Sequence, residues 1–344
     1  IPTFTNGRTV EMSGLKMWRL ARSFSRGYRK TFLETLDSFN PDIVHLNDCN
    51  LLGPLKLAKA EGKKVVVHAR FTLSESPRWA WSHQTKTLRG YADKIIAIDG
   101  SVLRTLGEQP KATVVYNPLA PGELLPTGSK KNKRGDSFSA ENPMIVGFVS
   151  LFYPYKGVFE ILEAARALQA RKDVRFLLAG ANGRPPAFYS SFFGWACDLF
   201  GVAPDVEKRM RAIISEWKLD NVILSGFVED VPSFMKSLDV LVFPSRLDAV
   251  PRSVYEAGLF GVPSIVAMEH KVEDIVRDGQ NGFIIPERSS EALVRALLRL
   301  KEDRGSLARL GANAQKQFSE QFAGERSALE VLQVYREVLR AKQN

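Results

Sequence analysis

The sequence predicts an α/β protein with two doubly wound parallel sheets, and three observations support this fold class. Short runs of consecutive apolar, mostly β-branched residues recur along the 344-residue chain, and such runs are typical of strands buried on both faces. Helical stretches separate the runs, an alternation that favours parallel sheets. One polar stretch rich in Gly, Ser and Lys, at 126–143, interrupts the series, and the length fits two domains of about 100–200 residues each.

The first domain is predicted over residues 1–125. Apolar side chains at helical spacing, with arginines and lysines between them, predict a basic amphipathic helix at 15–39. Its basic face either lies in water or contacts a membrane surface. Four strands are predicted after this helix, at 43–46, 65–67, 95–98 and 114–116.

The second domain is predicted over residues 144–322, after a linker at 126–143. Its strands are predicted at 144–150, 174–180, 222–227, 240–245, 263–268 and 282–285, with helices at 157–171, 205–217, 231–238 and 252–260. An insertion at 184–204 has five aromatic residues between 185 and 195, and is either a flap over a cleft or a packed surface loop. Three helical segments close the chain, and the last, at 323–344, is expected to pack back toward the first domain.

The composition excludes several classes of protein. The formal net charge is +10, and the whole excess lies in residues 1–140, which hold 22 basic and 12 acidic residues. Such an excess indicates an anionic partner, but no basic stripe with interleaved aromatic residues supports nucleic acid. No apolar run approaches the ~20 residues of a membrane span. Two cysteines, Cys49 and Cys197, form neither a disulfide framework nor a four-ligand zinc site, which fits a reducing cytosol.

The loop after the first strand of the second domain ends in Lys156-Gly157, at the start of a helix. Ligands of doubly wound sheets bind beyond the carboxyl ends of the strands, and a helix N-terminus favours an anion. Lys156 adds a point charge. The loop therefore predicts a phosphate site, while a lysine that merely starts a helix is the alternative.

A second stretch, at 243–258, places Asp248 in a strand-to-helix loop and Glu256 eight residues later on the helix. Neither has an adjacent histidine or a nucleophilic serine arrangement. Two carboxylates at this spacing suit hydrogen bonds from polyols, such as a sugar ring and a ribose. A helix-capping Asp with a surface Glu is the alternative.

The combined pattern resembles the C-terminal half of family 4 retaining glycosyltransferases of the GT-B fold. The resemblance rests on a series of short motifs. The first is Phe-Pro-Ser at 243–245, followed by Asp248 and, after seven more residues, by Glu-Ala at 256–257. Gly-Val-Pro at 261–263 and Asp-Gly-x-x-Gly at 278–282 come next. Segments of the first domain are similar as well: Pro-Asp-Ile-Val-His at 41–45, Ala-Asp-Lys-Ile-Ile at 92–96 and Val-Val-Tyr-Asn-Pro at 114–118. The resemblance covers about residues 36–342.

The resemblance implies two Rossmann-like domains that face a cleft, with a nucleotide sugar on the second and the acceptor on the first. It implies that Glu256 bonds the ribose, Asp248 the hydroxyls of the transferred sugar, and Lys156 the diphosphate. The implied donor site also includes Ser150, Ser245, Val250 and Arg252, with Phe227 and Val228 beside the base.

On the acceptor side, the resemblance places His68 near the reacting centre. Arg70 follows His68 in the sequence and is expected to meet phosphate or an anionic acceptor, and Asn117 is expected on the acceptor side as well. The alternative is that His68 is a polar residue at a strand end whose hydrogen bonds are all made within the protein. The implied reaction needs no metal or other cofactor: the donor C1–O bond loosens toward an oxocarbenium-like ion, cations stabilise the leaving phosphate, and the acceptor hydroxyl attacks from the same face. The expected acceptor is a saccharide or a lipid-linked saccharide, as in polysaccharide or lipopolysaccharide biosynthesis. The expected location is the cytoplasm, with peripheral contact at the inner membrane surface.

The sequence departs from the family pattern at three places. Ser150-Leu151-Phe152 stands where the family has Gly-Arg-Leu, so Leu151 replaces a phosphate-binding arginine, for which Arg252 and then Arg246 are candidate substitutes. His270-Lys271 replaces a Gly-Gly turn. The strand, Gly-rich loop and helix that open such enzymes do not precede residue 41, and residue 1 is not Met. We therefore expect a first domain that lacks its leading strands; a divergent short acceptor domain is the alternative.

Two other functions remain open from the sequence. A non-catalytic relative that binds a sugar or nucleotide would explain the loss of the arginine at Leu151. A nucleotide-sugar epimerase on the same fold would need acid and base side chains beside the sugar, and four histidines without a paired arrangement argue against it.

Overall fold

The computed structural model describes residues 26–118, 139–245, 250–268, 274–322 and 324–341. The described residues up to Pro118 and from Gly324 onward form one compact unit, and those between them form a second. Most of the predicted linker and residues 15–25 of the predicted basic helix lie outside the described ranges.

The first unit contains a four-stranded parallel sheet in the order β1–β2–β3–β4. Helix α1 (Arg26–Phe39) precedes the sheet. The strands are β1 (Ile43–Leu46), β2 (Lys64–Ala69), β3 (Lys94–Ala97) and β4 (Ala112–Val114), joined by α2 (Leu52–Ala60), α3 (Arg78–Tyr91) and α4 (Gly100–Thr105). The prediction of a strand at 114–116 is wrong by two residues: β4 pairs with β3 over 112–114, and its last hydrogen bond runs from the Val115 N–H to the carbonyl oxygen of Ala97, where β3 ends.

Apolar side chains cover both faces of this first sheet. One face packs Val65, Val67 and Ile95 against residues of α2, α3 and α4. The other packs Val66 and Ile96 against the helix Gly324–Arg340, which we number α13 as the last in the chain. The consecutive valines of β2 therefore alternate between two cores, which explains why the strand is a continuous apolar run.

The second unit contains six parallel strands in the order β10–β9–β8–β5–β6–β7. They are β5 (Met144–Val149), β6 (Val174–Ala179), β7 (Val222–Gly226), β8 (Val240–Phe243), β9 (Ser264–Ala267) and β10 (Gly282–Ile285). The chain moves outward from β5 through β6 to β7. It then crosses back, and β8 pairs with the opposite side of β5.

Helices lie between these strands and after them. They are α5 (Val158–Ala167), α6 (Pro186–Tyr189), α7 (Phe192–Leu199), α8 (Val206–Glu216), α9 (Val231–Ser237), α10 (Arg252–Leu259), α11 (Ser290–Glu302) and α12 (Arg304–Gln321). Side chains of Asp205, Asp230, Ser289 and Asp303 accept backbone N–H groups at the starts of α8, α9, α11 and α12, which explains where these helices begin. None of the helices in the described part of the chain is long and apolar enough to span a membrane.

Candidate functional site

The second sheet has a topological switch point between β5 and β8. The connection from β5 leads to β6 on one side, whereas β8 pairs on the other. Loops that leave the carboxyl ends of two such strands diverge, and the crevice between them is where doubly wound sheets bind ligands. Lys156 follows β5 and Ser245 follows β8, so two separately predicted stretches meet at this point.

The two loops are in close contact. Gly157 has φ +82°, and a Cβ built there would lie 2.1 Å from the carbonyl oxygen of Pro244. The Ser245 hydroxyl donates a hydrogen bond of 3.1 Å to the carbonyl oxygen of Tyr155. Only glycine combines a left-handed backbone with this approach, so Gly157 fixes the position of the loop that carries Lys156.

Lys156 is buried, with 6% of its surface exposed. Its Nζ lies 4.9 Å from the centroid of the Phe243 ring and 5.9 Å from that of Tyr155. Aromatic ring faces stabilise a cation that has left water, and the backbone N–H groups at the start of α5 lie directly after it in the chain. A buried ammonium next to a helix N-terminus is suited to an anionic group such as a phosphate.

Helix α10 carries Glu256, whose half-buried carboxylate accepts a 2.8 Å ion-pair hydrogen bond from Nε of the exposed Arg252. The cation predicted to substitute for the arginine missing at Leu151 is thus bound to the carboxylate predicted to bind a ribose. The Tyr255 hydroxyl donates 2.8 Å to the carbonyl oxygen of buried Val250 and fixes the entry to the helix. Asp248, Arg246, His270 and Lys271 lie outside the described residues.

The remaining donor-side predictions fall on two loops. Ser150 and Leu151 follow β5, and the Leu151 side chain is 49% exposed, so an apolar group faces solvent where the resemblance implies an arginine. Phe227 and Val228 follow β7, an edge strand that β6 separates from β5. Among the described residues, no hydrogen bond or ring contact joins Phe227 or Val228 to Lys156.

In the first unit, His68 and His45 lie on the sheet face that α13 covers. Their ring centroids are 5.4 Å apart, and Nδ1 of His45 lies 2.6 Å from the Tyr335 hydroxyl oxygen of α13. His68 is buried, and its Nε2 has no hydrogen-bond partner among the described residues. Burial, with Arg70 and His45 nearby, lowers the pKa of His68 to about 3, and burial followed by Arg70 lowers the pKa of His45. Both rings are therefore neutral imidazoles at neutral pH.

Arg70 stands at the carboxyl end of β2. Its Nε donates 2.6 Å to the amide oxygen of Asn47, and Nη1 donates 3.0 Å to the amide oxygen of Asn117. These amides orient the guanidinium without neutralising it, a geometry that suits an anionic ligand. The structure thus brings the three predicted acceptor-side residues to one edge of the first sheet.

Three residues of this cluster, His45, Asn47 and Tyr335, were missed by sequence reasoning, although His45 lies in the Pro-Asp-Ile-Val-His segment. Tyr335 is 290 positions from the histidine that it contacts, and no local pattern predicts such a pairing. Asn47 follows β1 two residues after His45, within the Pro-Asp-Ile-Val-His segment and its continuation. The position of Asn47 at a strand end was the only signal that could have identified it.

The chain is similar in sequence to a known family of enzymes. A family model described as glycosyl transferases group 1 matches residues 129–317, which is more than half of the chain. The chain belongs to this family. The match includes the loops with Lys156 and Ser245 and helix α10, so the switch-point site lies inside the part that the family shares.

Relatives of this group 1 member include the alpha-D-kanosaminyltransferase of Streptomyces kanamyceticus, 21% identical over 80% of this chain and 70% of the relative. An uncharacterised glycosyltransferase of Methanocaldococcus jannaschii is 26% identical over 72% of this chain and 60% of its own length. Among solved structures, HepE of Anabaena with UDP and glucose matches at a TM-score of 0.68, with 20% identity over 91% of this chain and 81% of HepE. Sucrose-phosphate synthase of Thermosynechococcus elongatus matches at 0.71, with 16% identity over 97% and 82%.

These matches confirm the predicted resemblance at the level of group 1 glycosyltransferases, and they confirm the predicted fold class, an α/β protein with two Rossmann-like parallel-sheet domains of the GT-B type. Membership of family 4 and the absence of leading strands from the first domain stay predictions. Retention of configuration, independence of metal, the implied cleft and the individual residue roles stay predictions.

Proposed function

We propose that the chain transfers a sugar from a nucleotide-diphosphate sugar to a saccharide or lipid-linked saccharide, with retention and without a metal ion. The observation that carries the proposal is the buried Lys156, which precedes the N-terminus of α5 at the switch point between β5 and β8. Membership of the glycosyl transferases group 1 family supports a sugar transfer, and UDP in the HepE structures supports a nucleotide donor.

In this scheme, Lys156 and the first backbone N–H groups of α5 meet the negative charge that grows on the leaving phosphate as the C1–O bond loosens. Such groups stabilise a transition state most where water is excluded, and Lys156 is buried. Glu256 accepts hydrogen bonds from the ribose, and Asp248 accepts them from the transferred sugar. The acceptor hydroxyl attacks from the face that the phosphate leaves.

On the acceptor side, the low pKa of His68 makes it a neutral group that exchanges hydrogen bonds with sugar hydroxyls. Arg70, oriented by Asn47 and Asn117, suits an acceptor with a phosphate, such as a diphosphate-linked lipid saccharide. An acceptor of that kind would bring the chain to the cytoplasmic face of a membrane, where the basic residues of 15–39 would meet anionic lipid.

A second candidate function is nucleotide-sugar binding without turnover. The exposed, apolar Leu151 favours it, because one cation of the implied diphosphate grip is absent there. Loss of a single group that stabilises transition-state charge lowers the rate about 10²–10³-fold. A cation introduced at position 151 therefore distinguishes the two candidate functions.

The test is release of nucleoside diphosphate from a panel of UDP-, GDP-, dTDP- and ADP-sugars with saccharide acceptors, together with calorimetric binding of each nucleoside diphosphate. Lys156→Met keeps an apolar stem among the rings and removes the charge, so we expect release to fall by about 10²–10³. Lys172→Met is the matched control: Lys172 forms an exposed ion pair with Asp220, and its loss should leave release unchanged.

Leu151→Arg restores the implied second cation on an exposed side chain and should raise the release rate. Binding without release in the wild type, together with release in Leu151→Arg, would support the second candidate. Neither release nor binding with any member of the panel would overturn both.

A further inference from the structure

The insertion after β6 presents an exposed apolar face that neither unit's core uses. Five large side chains of α7 and the residue after it are between 56% and 83% exposed: Phe192, Phe193, Trp195, Leu199 and Phe200. At about 100° per residue they fall within an arc of roughly 160° on one side of the helix. We call this set the aromatic face. Contiguous exposed apolar surface of this kind marks an interaction site.

The opposite side of α7 fixes the helix to the unit, so the aromatic face has a defined direction. Gly194 is buried there, and a Cβ built on it would lie 1.8 Å from the carbonyl oxygen of Phe188. Asp198 accepts 2.7 Å from Arg209 of α8 and 2.9 Å from the backbone N–H of Asp205. Any side chain at position 194 would push the helix off this support.

Three hydroxyl groups near the aromatic face already donate hydrogen bonds within the segment. The hydroxyl of Ser191 donates 2.7 Å to the carbonyl oxygen of Phe188, that of Ser190 donates 3.3 Å to Pro186, and that of Tyr189 donates 3.4 Å to Pro204. No charged residue lies between Arg184 and Asp198. A protein partner needs about one hydrogen bond per 100–200 Å² of interface, and these hydroxyls already use their donors, whereas the headgroup region of a bilayer accepts a Trp ring with its indole N–H still able to meet water or a headgroup.

We propose that the aromatic face inserts into the interface of a bilayer that contains anionic lipid. Phe, Leu and Trp are the side chains that such interfaces take up. Arg184 brings positive charge to the border of the face, since its guanidinium lies 5.5 Å from the Phe188 ring centroid. The Phe188 ring in turn packs edge-on against Phe193 of the aromatic face, with centroids 6.1 Å apart. Asp198, the acid of α7, lies on the opposite side of the helix and is paired with Arg209, so the charge of Arg184 at the border of the face is complementary to phosphate headgroups.

The insertion is joined to the loop with Lys156. The backbone N–H of Phe152 donates 2.8 Å to the carbonyl oxygen of Ala181, and Gly183 packs so closely on the Tyr153 ring that a Cβ there would collide with it. Tyr153 in turn stacks on Tyr155, with centroids 5.2 Å apart. If the proposed function holds, on which this consequence alone rests, a bilayer bound at the aromatic face keeps the donor loop beside the surface where a lipid-linked acceptor lies.

The experiment is flotation of the full chain with vesicles of phosphatidylcholine alone and with about 30% phosphatidylglycerol. Phe192→Gln with Phe200→Gln should lower the partition coefficient at least about tenfold, since it removes two exposed rings that the proposal places in the bilayer interface. Arg184→Gln should lower it about fivefold, and only on the anionic vesicles. Leu329→Gln with Leu332→Gln, which removes two exposed leucines of α13, is the matched control and should bind like the wild type.

Tryptophan emission gives a second readout that does not depend on variant stability. The wild type should shift to shorter wavelength on anionic vesicles, and Trp195→Phe should lose most of that shift while it still floats. No flotation of the wild type, or flotation unchanged in the double Phe variant, would overturn the proposal. A dimer in light scattering that the double Phe variant abolishes would also overturn it, because the face would then bind a second copy. No sugar donor is present, so failure here is separate from failure of the proposed function.

Discussion

Substitution of Gly157 by alanine tests whether contact between the two switch-point loops builds the site. Alanine in the left-handed region costs about 1–2 kcal/mol relative to glycine. The added Cβ would also lie 2.1 Å from the Pro244 carbonyl oxygen, and forced overpacking of this kind costs about 1–3 kcal/mol more. Because the clashing atom is backbone rather than a flexible side chain, relief requires that one loop moves and carries Lys156 with it.

Gly201→Ala separates the two contributions. Gly201 belongs to the same unit and has φ +69°, but a Cβ there meets nothing within 4 Å, so it reports backbone strain alone. Calorimetric unfolding should show a fall in the Tm of the second unit of about 2–8 °C for Gly201→Ala and a clearly larger fall for Gly157→Ala. Only Gly157→Ala should weaken nucleoside-diphosphate binding, at least about tenfold, since displacement of Lys156 removes a buried charge-assisted contact.

The opposite result would be that Gly157→Ala matches Gly201→Ala in both Tm and nucleoside-diphosphate binding. That result would mean that the loops tolerate separation and that Lys156 reaches its ligand without the support of Pro244.

Three further outcomes are expected in the first unit. The pKa of His68 is about 3 in the folded protein and about 6.5 in the unfolded chain, so between these values only the unfolded chain is protonated there. The free energy of unfolding should therefore fall by about 1.4 kcal/mol per pH unit as pH decreases from about 6 to 4. His68→Asn should remove that part of the slope in acid titrations followed by circular dichroism. Tyr335→Phe removes the 2.6 Å hydrogen bond to His45 and should cost about 1 kcal/mol; a double-mutant cycle with His45→Leu that shows no coupling would contradict this. Asp93→Ala removes the acceptor of the Val65 N–H at 2.7 Å and should destabilise the unit by about 1–3 kcal/mol in urea titrations, with the exposed Asp220→Ala as the neutral control.

Sequence patterns predicted most of the regular structure of both units. The strands predicted at 43–46 and 282–285 match β1 and β10, and those predicted at 144–150 and 240–245 begin at the same residues as β5 and β8 but end one and two residues earlier. Runs of consecutive apolar residues of this kind are typical of strands covered on both faces. Strand and helix ends were less predictable. β4 ends where its neighbour ends, which is a property of the pairing and not of residues 114–116.

The candidate site was predictable as two stretches but not as one place. A lysine before a helix and a serine after a strand are common separately. Their meeting depends on the crossover that brings β8 back beside β5. Likewise, the i, i+4 spacing of Arg252 and Glu256 permits an ion pair, but the sequence pattern suggested separate roles for the two residues, whereas the structure joins them.

By itself, the sequence determined the α/β class, the parallel order of strand and helix, the family and the residue types at the site, since these depend on local periodicity and on motifs within one stretch. Tertiary structure decided the rest. It placed Tyr335 on His45 across 290 positions, buried Lys156 among aromatic rings, and turned four apolar side chains of α7 and that of the next residue, Phe200, outward. The physical reason is that burial and pairing are properties of the neighbours that a residue acquires in the fold, and those neighbours come from distant parts of the chain.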